Sequence, residues 1–143
     1  MATINILTIG LLKEDQPSVI DKLNNGQGTV LYNHNIKEVF VKTDEHGAIL
    51  EISENEKTGS KKMYQYDSVR VEYPLTANNI FATLLTAKYS SNTESKLINE
   101  YQSAVFGILP KSAKKPYEDY LKERLAISEM IDNDCKVLGI PNE

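Results

Sequence analysis

The sequence has very few of the side chains on which recognisable active sites are built. Its 143 residues include one cysteine, two histidines and no tryptophan. One cysteine cannot form an intramolecular disulfide, and these three residues are too few for any common zinc site. The sequence also contains no Gly-x-Ser-x-Gly elbow and no phosphate-binding loop. We therefore expect a protein without enzymatic activity, bound metal or cofactor.

The chemistry-bearing residues that are present lie in patterns typical of structural roles. Cys135 falls on the apolar face predicted for the last helix, where a lone cysteine is usually a small core residue. His46 lies in a predicted hairpin turn, and His34 lies between two asparagines in a predicted loop. Residues 132–134 include two aspartates but lack the glycine and the terminal glutamate of a calcium loop. None of these positions predicts a catalytic or metal-binding role.

Long hydrophobic runs are also missing. No stretch approaches the roughly 18 apolar residues that are needed to cross a bilayer. Near the start, residues 3–11 alternate apolar with polar side chains, which is typical of a strand and not of a signal peptide. We therefore expect a cytoplasmic protein with no membrane partner.

The charge of the chain is acidic, and its basic residues are clustered. The net charge is −4, so nucleic acid is not an expected partner, because phosphates repel an acidic protein. Lysines gather at residues 57–62 and again at residues 111–115. Both clusters are interpreted as solvated loops, and the alternative is a local patch that binds an anion or an acidic partner.

The first half of the chain is predicted to form strands and the second half helices, with the change near Pro74. The turn 44–47 and the loop 53–62 are predicted to be exposed, because they are polar and rich in charge. A change of alternation at Asp67 and Ser68 predicts a bulge in the last strand. The predicted elements are strands at 3–11, 28–33, 38–42, 48–52 and 63–73, a short helix after Asp15-Gln-Pro17, and three helices over 77–89, from 91 and over 116–136.

Local signals predict where the three helices begin and end. Thr76 is a suitable N-cap for the first helix, and Ser91 with Glu94 fits a capping box for the second. Gly139 follows the predicted end of the third. The fold class is thus α+β: an antiparallel or mixed sheet from residues 1–74, packed against about three helices from residues 75–143, in a single domain spanning 1–143.

Tyrosine is the one residue type that departs from ordinary usage, with eight copies. Tyrosine suits protein interfaces because it combines an apolar body with a polar tip, although it also suits the rim of a core. Both interpretations are compatible with the sequence. The predicted interaction surface consists of Tyr64, Tyr66, Tyr73 and Tyr89.

Part of the sequence resembles a group of small proteins encoded by bacteriophages and prophages of gut bacteria. The resemblance covers residues 64–125 and rests on the strand Tyr66–Pro74, the corner Ala87–Ser90, Glu94 and the tyrosine-containing segment 116–121. It implies a phage structural or accessory component, with incorporation into a virion as one location. It carries no known site residue.

Two functions follow from these observations. The first is a non-enzymatic interaction or accessory protein that acts through contacts with a protein partner or with itself, forming a homo-oligomer in the second case. The alternative is a small-molecule or glycan-binding module that uses a tyrosine-bearing face of the sheet.

Overall fold

A computed structural model describes residues 6–143, and it divides the chain into two compact units that meet in sequence at Tyr73 and Pro74. The first unit contains an antiparallel five-stranded sheet and the second contains three α-helices, so the predicted α+β class is confirmed. The single domain and the packing of the helices on the sheet stay predictions. Residues 3–5 of the first predicted strand lie outside the described residues.

The sheet is organised around one long strand. β3 pairs with β5 along one edge, while its other edge pairs first with β2 and then with β4. β1 adds to the outer side of β5, which gives the order β1-β5-β3-β2 with β4 also on β3. The strands are β1 (Leu7–Lys13), β2 (Ile20–Lys22), β3 (Val30–Thr43), β4 (Ile49–Ser53) and β5 (Lys61–Val71).

The short helix predicted after Asp15 is wrong, because this segment forms β2 instead. Ile20 lies opposite Tyr32 in β3, and the Asn33 amide donates to the Val19 carbonyl at 2.8 Å. Neighbouring β-branched residues favour extended backbone. Strand pairing therefore satisfies the backbone of this segment better than one isolated helical turn would.

The loop predicted around His34 is also wrong. β3 runs through this position without a break, and His34 is buried, with its ring stacked on Tyr32 at 5.1 Å between centroids. The strand accommodates the polar sequence Asn-His-Asn because Asn35 adopts a positive φ of 50°. Asparagine tolerates this left-handed conformation better than most residues.

Asn35 belongs to one of two bulges that lie at the same level of the sheet. Opposite β5, both β1 and β3 contain an extra residue, between Thr8 and Leu11 and between His34 and Lys37. The predicted irregularity near Asp67 is thus real, but the two neighbouring strands carry it and β5 itself stays regular. The buried core of this unit is built from alternating residues of β3 and β5, namely Val30, Tyr32, Val39, Val41, Val69 and Val71.

The predicted hairpin is confirmed. β3 and β4 pair around the turn 44–47, and the Asp44 carboxylate accepts hydrogen bonds from the backbone of His46 and Ala48. Gly47 has the positive φ that this turn requires. The turn is exposed apart from a half-buried Asp44, and the loop 53–62 is exposed apart from half-buried Ser53 and Ser60.

The three helices begin and end close to their predicted bounds. They are α1 (Ala77–Lys88), α2 (Ser91–Val105) and α3 (Lys115–Leu138), and a 3-10 turn over Lys111–Lys114 precedes α3. Thr76 caps α1 and Gly139 ends α3, as predicted. The cap of α2 is Ser90, whose hydroxyl accepts from the Thr93 amide, so Ser91 is the first helical residue and not the cap.

The helical unit has its own buried side chains. Ile80 and Leu84 of α1 are fully buried, as their spacing predicts. On α3 the buried face contains Ile131 and Cys135, as predicted, together with Tyr120 and Ile127. The spacing of Leu121 and Leu138 predicts that they lie on the same apolar face as Cys135, but both are exposed.

Candidate interaction surfaces

The turn between α2 and α3 exposes an unusual number of apolar side chains. Helix α2 ends at Val105, and the chain then continues through Phe106, Gly107, Ile108 and Leu109 to Pro110. Phe106 is 77% exposed and Ile108 is 76% exposed. The helical spacing of Val105 from Leu97, Ile98, Tyr101 and Ala104 predicts that it faces inward with them, but it is also exposed. We call residues 105–109 the apolar turn.

The backbone of the apolar turn is held in place locally. Gly107 adopts a φ of 78°, which reverses the chain after the helix. The amides of Ile108 and Leu109 both donate to the carbonyl of Ser103, at 2.8 and 3.2 Å. Because these bonds fix the backbone, the exposure of the apolar side chains is a property of an ordered segment.

Lysines follow the apolar turn directly. Lys111, Lys114 and Lys115 lie on the 3-10 turn and the first residue of α3. Lys115 pairs with Asp119 at 2.9 Å, which offsets part of this charge. Residues 101–117 contain these three lysines and no aspartate or glutamate, although the chain as a whole is acidic. We call residues 105–115 the basic surface.

The β3–β4 hairpin exposes a second set of apolar side chains. Leu50 is 63% exposed, Ile49 is 52% exposed and Ile52 is also exposed. Among the strands of residues 6–143, β4 is paired with β3 alone, so its outer edge is open. An open edge offers unpaired backbone groups to another chain.

The charge around this hairpin is opposite to that of the basic surface. Residues 44–56 contain five acidic residues and no lysine or arginine. Two of the five are neutralised locally, because Glu51 pairs with Lys57 and Glu54 lies 3.6 Å from Lys37. Lys42 of β3 also lies opposite Glu51 in the strand pairing. Asp44, Glu45 and Glu56 remain without a basic lysine or arginine partner in the described residues. We call residues 44–56 the acidic surface.

The four predicted tyrosines are divided between the two compact units, three in the first and one in the second. Tyr64 and Tyr66 lie two residues apart on β5 and are both half-buried, with the Lys62 ammonium 5.6 Å from the Tyr64 ring centroid. Tyr73 is exposed. Tyr89 belongs to the helical unit, where its hydroxyl is bonded internally. Whether any of the four contacts a partner stays a prediction.

Tyr89 is part of a polar cluster that links the three helices. Its hydroxyl donates to the Glu123 carboxylate, which also accepts from the Lys88 ammonium at 3.1 Å. The hydroxyl of Tyr120 donates to Glu94 at 3.0 Å. The rings of Tyr89 and Tyr120 meet edge to face with centroids 4.9 Å apart. Lys88, Tyr89, Glu94 and Tyr120 thus form structural contacts between helices.

The ionisation of this cluster follows from its hydrogen bonds. The bond to the Glu123 carboxylate raises the pKa of Tyr89 to about 12, because the carboxylate binds only the protonated phenol. The same bond lowers the pKa of Glu123. Burial, followed by the bond to Glu94, raises the pKa of Tyr120. At neutral pH both phenols are therefore protonated donors, which suits a structural role.

A cleft of about 340 Å³ opens beside the two bulges of the sheet. The Asp67 carboxylate organises it, accepting from the Gly10 amide at 3.1 Å and from the Asn35 side chain at 2.9 Å. The lining residues offer an ammonium, two amides and a carboxylate, which is a set that binds polar ligands. They are Ile9, Gly10, Asn35, Lys37, Gln65, Tyr66 and Asp67.

The described residues were also compared with the requirements of a metal site, a reactive cysteine and a membrane-spanning helix. Within residues 6–143, no group of three histidine, cysteine, aspartate or glutamate side chains is arranged to hold a metal ion. Cys135 is buried, as predicted for a core residue, and burial raises the pKa of its thiol. None of the helices in the described part of the chain is long and apolar enough to span a membrane.

Comparison of the chain with protein-family models, with curated proteins and with solved structures found no match. The candidate sites therefore rest on geometry and charge alone. The apolar turn was missed at the sequence level because the spacing of Val105 fits the inner face of α2. The sequence feature that could have identified this region is the absence of aspartate and glutamate over residues 101–117.

Proposed function

We propose that this protein is a non-enzymatic interaction component that acts through protein–protein contacts, including contacts with other copies of itself. The observation that carries the proposal is the apolar turn. It groups several exposed apolar side chains on a backbone fixed by hydrogen bonds, and grouped apolar exposure is typical of a contact surface, whereas a single exposed apolar residue is not. Association with a phage particle, which the resemblance implies, is an expectation that rests on the resemblance alone.

The proposal is tested by measuring the mass of the protein in solution. Sedimentation velocity over a wide concentration range is expected to show reversible self-association of the unaltered chain. The double variant Phe106→Glu, Ile108→Glu is expected to associate at least about tenfold more weakly, because two apolar contacts become charged. Val137→Glu, at a residue that is also 77% exposed, is the matched control and leaves association unchanged. A monomeric parent protein would contradict the self-association.

A second candidate function is supported by the cleft at the bulges. Its volume falls within the range of small-ligand sites, and its amide and carboxylate groups suit the hydroxyl groups of a sugar. Titration with simple mono- and disaccharides, followed by protein NMR, tests this function. Shifts confined to the residues around Gln65 that disappear in Gln65→Ala would support it. Spectra that remain unchanged with every sugar would exclude it for this ligand class.

A further inference from the structure

The basic surface and the acidic surface have the same design with opposite charge. Each presents exposed apolar side chains on a fixed backbone, Phe106 and Ile108 on the first and Ile49 and Leu50 on the second. The first is flanked by three lysines without any acid over residues 101–117. The second is flanked by five acids without any lysine or arginine over residues 44–56. Surfaces of this kind complement each other in both hydrophobicity and charge.

The charge of the whole chain makes another copy an appropriate partner for the basic surface. The sequence has 16 basic and 20 acidic residues. Without the three lysines of residues 101–117, the remainder has 13 basic and 20 acidic residues and a net charge of −7. Two copies therefore repel each other over most of their surfaces. The lysines of residues 57–62 are each paired with a glutamate, so the basic surface is the lysine cluster that attracts an acidic copy more strongly.

Pairing of either surface with itself is disfavoured by the same charges. Two basic surfaces would bring six lysines together, three from each copy, with only the Lys115–Asp119 pair of each copy to offset them. Two acidic surfaces would bring together Asp44, Glu45 and Glu56 from each copy, none of which has a lysine or arginine partner within residues 6–143. A contact between unlike surfaces avoids both arrangements.

We propose that the basic surface of one chain docks on the acidic surface of a second copy. The inference rests on the proposed self-association and names the two surfaces that perform it. The contact joins different patches on the two copies, so the pair keeps one free acidic surface, on the first copy, and one free basic surface, on the second. Such a heterologous contact builds a closed ring when its rotation closes, and an open filament when it does not.

Mixing two variants tests this pairing directly. In the basic-surface variant Phe106→Glu, Ile108→Glu, the acidic surface is intact. In the acidic-surface variant Ile49→Lys, Leu50→Lys, the basic surface is intact. All four positions are exposed, so both variants are expected to fold, and circular dichroism with thermal melting checks that they do.

Each variant alone is expected to be monomeric in native mass spectrometry and sedimentation. An equimolar mixture is expected to form a heterodimer and nothing larger, because only one compatible pair of surfaces remains. The dissociation constant of this heterodimer should be close to that of the same contact in the parent protein. The constant should increase when salt is added, since screening weakens the attraction between charges. Val137→Glu again serves as the control and assembles like the parent protein.

The possible outcomes separate this inference from the proposed function. If either variant still dimerises alone, or if the mixture stays monomeric while the parent associates, the pairing is wrong and self-association stands. If the parent is monomeric at every concentration, both fail. Binding of a monomeric parent to phosphatidylglycerol vesicles, with none to phosphatidylcholine vesicles, would assign the basic surface to a lipid partner and would also overturn the pairing.

Discussion

Replacement of Tyr89 by phenylalanine removes one hydroxyl group from the cluster that links the three helices. The ring is expected to keep its edge-to-face contact with Tyr120, so the loss is confined to the bond with Glu123. A hydrogen bond to a charged group contributes about 1.5–3 kcal/mol when it is buried. Because the Glu123 side chain is 39% exposed and solvent weakens the bond, we expect a loss at or just below that range, about 1–1.5 kcal/mol.

Urea denaturation at neutral pH measures this change in the free energy of unfolding. Tyr117→Phe is a matched control, because Tyr117 has ring contacts with Tyr101 and Tyr120 and its hydroxyl has no hydrogen bond in the described structure. It is expected to change stability by less than about 0.5 kcal/mol. If Tyr89→Phe and Tyr117→Phe lose the same stability, the bond to Glu123 does not contribute as argued.

The parent protein and Tyr89→Phe are also expected to differ in alkaline solution. The folded pKa of Tyr89 is about 12, above its ordinary value of 10.0, so folding favours the protonated phenol. The resulting stabilisation is complete below pH 10 and is lost as the pH rises towards 12. The parent protein is therefore expected to lose stability more steeply than Tyr89→Phe in this window. Parallel curves for the two proteins would refute the assignment.

Three further changes test other parts of the structure. Gly28→Ala should destabilise the protein more than Gly26→Ala in urea denaturation. Both glycines have a positive φ, but a Cβ added at Gly28 would lie 3.1 Å from Tyr73, whereas a Cβ added at Gly26 would have no atom within 4 Å. Leu84→Ala should cost about 2–5 kcal/mol in the same assay, because the side chain is fully buried, and a loss below 1 kcal/mol would place it outside the core. The Cys135 thiol should react with a thiol reagent far more slowly in the folded protein than in urea, and equal rates would show that it is accessible.

Elements that depend on neighbouring residues could be predicted from the sequence. The hairpin follows from the Asp44 side chain and Gly47, which lie within the turn itself. The bounds of α1 and α3 follow from the cap at Thr76 and from Gly139 in the same way. In each case the interacting groups are only a few residues apart, so the sequence of the element and its flanking residues is enough to predict it.

Elements that depend on distant partners could not be predicted. β3 continues through Asn35 because this side chain bonds Asp67, which lies 32 residues further along the chain. β2 exists only because β3 is beside it. The apolar turn could not be predicted for a related reason. Helical spacing places Val105 on the inward face of α2, but no neighbouring element covers that position among the described residues. Of the four tyrosines, three belong to the first unit and Tyr89 to the second, where its hydroxyl bonds Glu123 of a distant helix.

Asp67 also limits the ways in which this sheet can be misassembled. Sliding a strand by one residue turns every one of its side chains to the opposite face. The two oxygens of Asp67 hold the extra residues of β1 and β3, so a slip on either side of β5 must break a bond to the same carboxylate. The register of β1 on β5 and the register of β3 on β5 therefore depend on the same residue, and a shift in one pairing removes one of the two hydrogen bonds that hold this carboxylate in place for the other. Sheets with one strand out of register, which leave backbone groups unpaired and favour aggregation, are disfavoured as a result.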